Sequence, residues 1–74
     1  MIEIKDFSTD DKICKIFQCH KDDDDFVDSY LISFKHQDLE IFTRLFSSVA
    51  LAEIRCQELL AATSIDDDLL AGDL

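Results

Sequence analysis

Four consecutive carboxylates, Asp22 to Asp25, with Asp28 close behind, form the densest set of chemistry-bearing side chains in the sequence. Adjacent carboxylates repel one another, so the run belongs in water or against a cationic partner. A calcium loop would need glycine at its sixth position and glutamate at its twelfth; counting from Asp22 gives Val27 and Ser33, which excludes it. Cys14, Cys19 and His20 have the side chains of metal ligands, with His36 and Cys56 further along. Their Cys-x4-Cys-His spacing lacks the tight pairs of a structural zinc site, so buried, inert thiols are expected and neither metal nor cofactor is assigned. One glycine in 74 residues leaves no glycine-rich phosphate loop. No nucleophile elbow, Cys-His signature or carboxylate dyad in an apolar setting is present either, so the chain is not expected to be an enzyme.

The charge is more informative. Seven Lys and Arg stand against 17 Asp and Glu, a net charge of −10. Phosphate repulsion opposes direct nucleic-acid binding, and the same repulsion opposes an anionic membrane surface. The natural partner is a protein with a basic surface. A hydrophobic fraction of 47% is too high for a disordered acidic tail. The chain therefore reads as one small α+β domain over 1–74, completed by a partner or by a second copy as a homodimer. The odd cysteine count and the direct lead from Met1 into Ile2-Glu3-Ile4-Lys5 predict reduced thiols in a cytoplasm.

Alternation predicts strands at 2–7, 12–19 and about 26–35, the last two joined as a hairpin around the Asp run. The fold expected is a three-stranded antiparallel sheet followed by one long or two shorter helices packed on one face. From Asp38 to Thr63, Phe42, Leu45, Val49, Ala52, Cys56 and Leu59 recur at steps of three and four, with Leu39, Phe46 and Leu60 widening the stripe. Asp38 is the expected N-cap, and Ser47-Ser48 offers a break into helices at 38–47 and 49–63. Residues 65–74 are expected to form a short terminal helix capped by Ser64 and stopped at Gly72, or a tail.

An Asp-rich hairpin followed by a helical segment in a very acidic chain resembles the short dimeric phage-encoded uracil-DNA glycosylase inhibitors. Asp25-Phe26-Val27-Asp28-Ser29-Tyr30 is similar to the opening strand of that family, and Asp38-Leu39-Glu40-Ile41-Phe42 to its helix start. The resemblance implies an acidic DNA mimic in which Leu39 helps form an apolar pocket for a side chain of the enzyme, while Glu40 contacts the enzyme directly. Leu39 stands where the family has an aromatic residue, and Thr43 where a second is expected. A shifted alignment gives the pocket to Phe42 and Phe46 instead.

The expected function is that of an inhibitor filling the nucleic-acid groove of a host DNA-processing enzyme, with uracil-DNA glycosylase the most specific target. Asp22, Asp23, Asp24, Asp25, Asp28, Leu39, Glu40 and Phe42 are its candidate contacts. An anti-CRISPR protein against a Cas effector would use the same electrostatics. An acidic adaptor or immunity protein docking through apolar surface is the third reading, and only its binding should tolerate high salt.

Overall fold

Along Lys12–Cys19, Cys14 and Ile16 point to one face of an extended chain while Ile13, Lys15 and Phe17 point to the other. Cys14 and Ile16 are fully buried, so their face meets the core. In the computed structural model, which describes residues 2–19 and 29–73, this segment is strand β2, with the bounds that alternation predicts. It lies between β1 (Ile2–Asp6) and β3 (Ser29–His36), antiparallel to both. Residues 26–28, expected to begin the third strand, fall outside the described residues.

A helix starting at Asp38 is not what forms. Leu39–Phe42 is instead a further strand, β4, antiparallel to β3, so that among the described residues one sheet has four strands in the order β1-β2-β3-β4. Gln37 causes the reversal: its φ of 56° turns the chain back at once, and His36 pairs with Leu39 across a two-residue loop. The β-preferring Ile41 and Phe42 then extend the ladder rather than wind into a helix. Beyond them Thr43, buried at 4% exposure, accepts from the Ile32 amide through its hydroxyl at 3.2 Å. Phe46 closes the edge by bridging to Tyr30.

The helical period is real only after Ser48, whose side chain accepts from the Leu51 amide as the N-cap of α1 (Val49–Ala61). Ala52, Cys56 and Leu59 are fully buried on one face of α1, as their spacing predicts. Phe42 and Leu45, placed by the sequence on the same stripe, precede the helix and remain 57% and 39% exposed. The core is the layer between α1 and one sheet face, built on Cys14, Ile16, Ile32, Phe34, Phe46, Ala52, Cys56 and Leu59.

Cys14 on β2 and Cys56 on α1 are joined by a disulfide that spans 42 residues, which corrects the expectation of reduced thiols. The same periodicities that bury both residues bring their Cα atoms to 6.4 Å, within bonding range. Cys19 keeps a free thiol.

The chain ends in α2 (Asp67–Leu70), whose N-cap is Asp66 rather than Ser64. Leu69 and Leu70 pack against the core, and the strand-like continuation hydrogen-bonds to the segment after β4: the Arg44 amide donates to the Leu70 carbonyl and the Asp73 amide to the Leu45 carbonyl. Gly72 matters here for closeness of approach rather than as a helix stop, since a Cβ would sit 2.0 Å from the Leu45 carbonyl oxygen.

Candidate functional site

The sequence-derived contacts do not gather on one helix. Asp22, Asp23, Asp24, Asp25 and Asp28 lie outside the described residues. Leu39, Glu40 and Phe42 occupy β4, where alternation sends them to opposite faces. Leu39 pairs with His36 and, like Ile41 beside Phe34, belongs to the helix-facing side. Glu40 pairs with Lys35 and Phe42 with Ser33 on the other side. The shifted pair fares no better, because Phe42 is 57% exposed on the open face while Phe46 is buried in the core.

What Leu39 lines is a cavity of about 450 Å³ at the end of the sheet where β1 turns into β2 and β3 into β4. Its apolar part is Phe34, Leu39, Ala62 and Ile65, and its polar part is Asp11, Lys12, His36, Thr63 and Ser64. Three separate segments meet there, and three long-range bonds from two side chains fasten them. The Lys12 ammonium donates to the Leu60 carbonyl at 2.7 Å and to that of Ala62 at 3.4 Å, holding the C-terminal end of α1, where the helix dipole favours a cation. His36 Nδ1 lies 3.0 Å from the Asp11 carbonyl oxygen and, as donor, ties the two turns together. Lys12 keeps its charge in these bonds, since its acceptors are neutral carbonyls, and so offsets Asp11 among the lining residues. Asp11 lines the cavity, and Asp10, Asp38 and Asp66 each adjoin a lining residue in sequence. No local pattern marks this set, because its members are brought together only by the sheet and the α1–α2 connection.

Two carboxylates elsewhere are tuned by hydroxyl donors. The Ser8 hydroxyl and then its amide, at 2.9 Å, donate to Asp6 and hold its carboxyl below the usual range. The Ser47 hydroxyl, with its amide at 2.7 Å, does the same to Asp73 and so fixes the chain end to the start of α1. Because both folded values lie below the unfolded one of about 3.9, the stabilisation is complete above that pH and is lost as the pH falls through the folded values. The melting temperature is therefore expected to be level from about pH 7 to 5 and to drop below about pH 4. Asp73→Asn should flatten that acid limb in a pH series of thermal melts; an unchanged limb would remove Asp73 from the cause.

Among the described residues no three His, Cys, Asp or Glu side chains converge to hold a metal ion, and Cys14, one of the candidate ligands, is taken up by the disulfide. No described helix is long and apolar enough to cross a membrane. No family model matches the chain, and neither a curated protein nor a solved structure matches it, so the functional reading rests on the cavity and on the net charge of the chain.

Proposed function

We propose that this protein is an acidic inhibitor that occupies the nucleic-acid-binding groove of a DNA-processing enzyme, with uracil-DNA glycosylase as its most specific target. The observation that carries the reading is the cavity floored by Phe34, Leu39 and Ile65 and bordered by Asp11, on a chain of net charge −10. A groove built for DNA presents Lys and Arg to a dense anionic array, and an acidic surface competes for those cations. An apolar recess in that surface then admits a side chain that the enzyme would otherwise insert between bases. In this reading Leu39, which lines the cavity from strand β4, takes the pocket role the resemblance implies. Glu40 and Phe42, on the opposite sheet face, are outside that pocket, and Asp22–Asp25 with Asp28 supply further negative charge. The proposed place of action is a host cytoplasm. A disulfide is unusual in that compartment, and burial of both sulfurs of the Cys14–Cys56 bond limits thiolate attack on it there.

The test is uracil release from a labelled oligonucleotide by a bacterial uracil-DNA glycosylase at low salt. Stoichiometric inhibition is expected, weakening as sodium chloride rises. Leu39→Lys, which fills the recess and adds a positive charge against a basic groove, should raise the inhibition constant by roughly 30-fold, on the scale of a few kcal/mol for an interface hot spot. No inhibition at stoichiometric excess would discard this target.

A further inference from the structure

We propose that the free edge of β1 takes up an extended peptide of a partner protein as an additional antiparallel strand, and that this peptide carries a basic-apolar-basic triplet. The proposal rests on the strand register and on the groove beside β1, and is independent of the inhibitor reading.

The sheet order places β1 outermost, and every residue of Ile2–Asp6 is exposed. Among the described residues nothing pairs with its outer side. At the opposite edge the chain beyond β4 is already bonded by the C-terminal segment, through the Leu70 carbonyl and the Asp73 amide. The Phe7 amide donates inward to the Cys14 carbonyl at 2.7 Å, so by alternation the N–H and C=O of Asp6 point outward. Such an edge is a template for a further strand.

Across the ladder Glu3 stands opposite Phe17, Lys5 opposite Ile16 and Asp6 opposite Lys15, and the register shifts between Glu3 and Lys5, which makes Ile4 the extra residue of a bulge. The bulge alters the spacing. Glu3 and Asp6 are three apart in sequence but face β2 residues that are two apart, so they recur like alternate residues of a regular strand, about 6.8 Å along it. Both lie on the open face with Phe17 and Lys15, whereas Lys5 lies on the helix-facing side with the buried Ile16. An antiparallel strand laid along β1 therefore sets its residues i and i+2 beside the carboxylates of Asp6 and Glu3. Residue i+1 turns to the helix side.

What it meets there is apolar. A groove of about 400 Å³ between β1 and α1 is lined by Phe7, Ala50 and Ile54, together with Lys5, Glu53 and Gln57. Ile54 is 58% exposed in it, and Lys5 and Glu53 neutralise each other as an ion pair. The groove suits an aliphatic side chain at i+1. On the open face Lys15 lies 3.3 Å from Glu3, and Glu3, Asp6 and Lys15 together carry −1 within a chain of −10. The local and the overall field thus both select Lys or Arg at i and i+2. No two of the chain's own seven Lys and Arg stand two residues apart, so a second copy does not supply the triplet.

The probe is the peptide acetyl-Thr-Val-Lys-Leu-Lys-Val-Thr-amide, titrated into the full chain at ~0.05 M sodium chloride and followed by calorimetry and amide NMR spectra. Saturable binding with a dissociation constant of roughly 10–500 µM is expected, with signals of Ile2–Phe7 and Ile54 shifting. Methylating the amide nitrogens of both peptide lysines, which point at β1, should abolish binding up to ~2 mM, whereas methylating that of the leucine, which points to water, should leave the affinity within ~3-fold. On the protein, Ile54→Glu should weaken binding at least ~10-fold by placing a charge in the groove. Asp6→Asn should weaken it at least ~5-fold and Glu40→Gln, the same change of charge on β4, by less than ~2-fold. Each substituted residue is exposed except Asp6 in its bond to Ser8, which asparagine can still accept, and thermal melting confirms folding. No saturable binding up to ~2 mM would show that the bulge closes the edge and would overturn the proposal. Binding indifferent to lysine N-methylation, or weakened equally by Asp6→Asn and Glu40→Gln, would be general charge attraction and would overturn it as well.

Discussion

Replacing Cys14 and Cys56 together by alanine is expected to destabilise the domain by about 4 kcal/mol relative to the disulfide-bonded protein. The bridge closes a loop of 42 residues, and the chain-entropy relation gives that figure for a loop of this length. A chain of 74 residues has a total stability of roughly 4–11 kcal/mol, so the loss is a large part of the whole. Both residues are fully buried, and alanine also removes two packed sulfurs. The reduced wild-type protein separates these contributions, since it loses the cross-link but keeps most of the packing. Urea unfolding of oxidised, reduced and doubly substituted protein should therefore give midpoints that fall in that order. Alkylation of unfolded, unreduced protein should label Cys19 alone. Three labelled cysteines, with a midpoint indifferent to reductant, would disprove the link.

The disulfide also shows where the sequence stops being readable. Periodicity buries Cys14 on a strand and Cys56 on a helix, but nothing local says that these faces meet, and an odd count favoured thiols. β2 was legible because alternation decides a strand flanked on both sides by others, and α1 because Ser48 caps it and Ala52, Cys56 and Leu59 keep helical spacing. β4 was not. Apolar residues at Leu39, Phe42, Leu45 and Phe46 fit a helical stripe by accident of spacing, while the deciding feature was the positive φ of Gln37, at a residue whose type gives no warning of it. The site suffered most, because a change from period 3.6 to period 2 moves side chains between faces. Leu39 lies on the helix-facing side and lines the cavity, whereas Glu40 and Phe42 lie on the open face. Asp11, Lys12, His36 and Ser64, distant in sequence, entered the site only through the sheet turns and the end of α1.

Phe34→Ala is expected to cost about 3–5 kcal/mol, the range for truncating a fully buried aromatic side chain. Phe34 is 1% exposed, pairs with Cys14 on β2 and Ile41 on β4, and its ring is shared between the core and the cavity that Leu39 lines. Truncation leaves a void that the cross-linked β2–α1 layer cannot readily close, which argues for the upper part of the range. Val49→Asp provides the contrast. The continuous-helix reading puts Val49 at the centre of a buried stripe, where an unpaired charge would cost several kcal/mol. In the structure it is half-buried at the first position of α1, directly after the Ser48 cap, where the helix dipole favours a carboxylate. Its cost should accordingly be about 1 kcal/mol, within the usual range for a partly exposed position. Urea midpoints of the two variants decide between the readings: Phe34→Ala much the less stable places the core between the sheet and α1, whereas Val49→Asp the less stable would restore a helix through Phe42 and Leu45 and move the core with it.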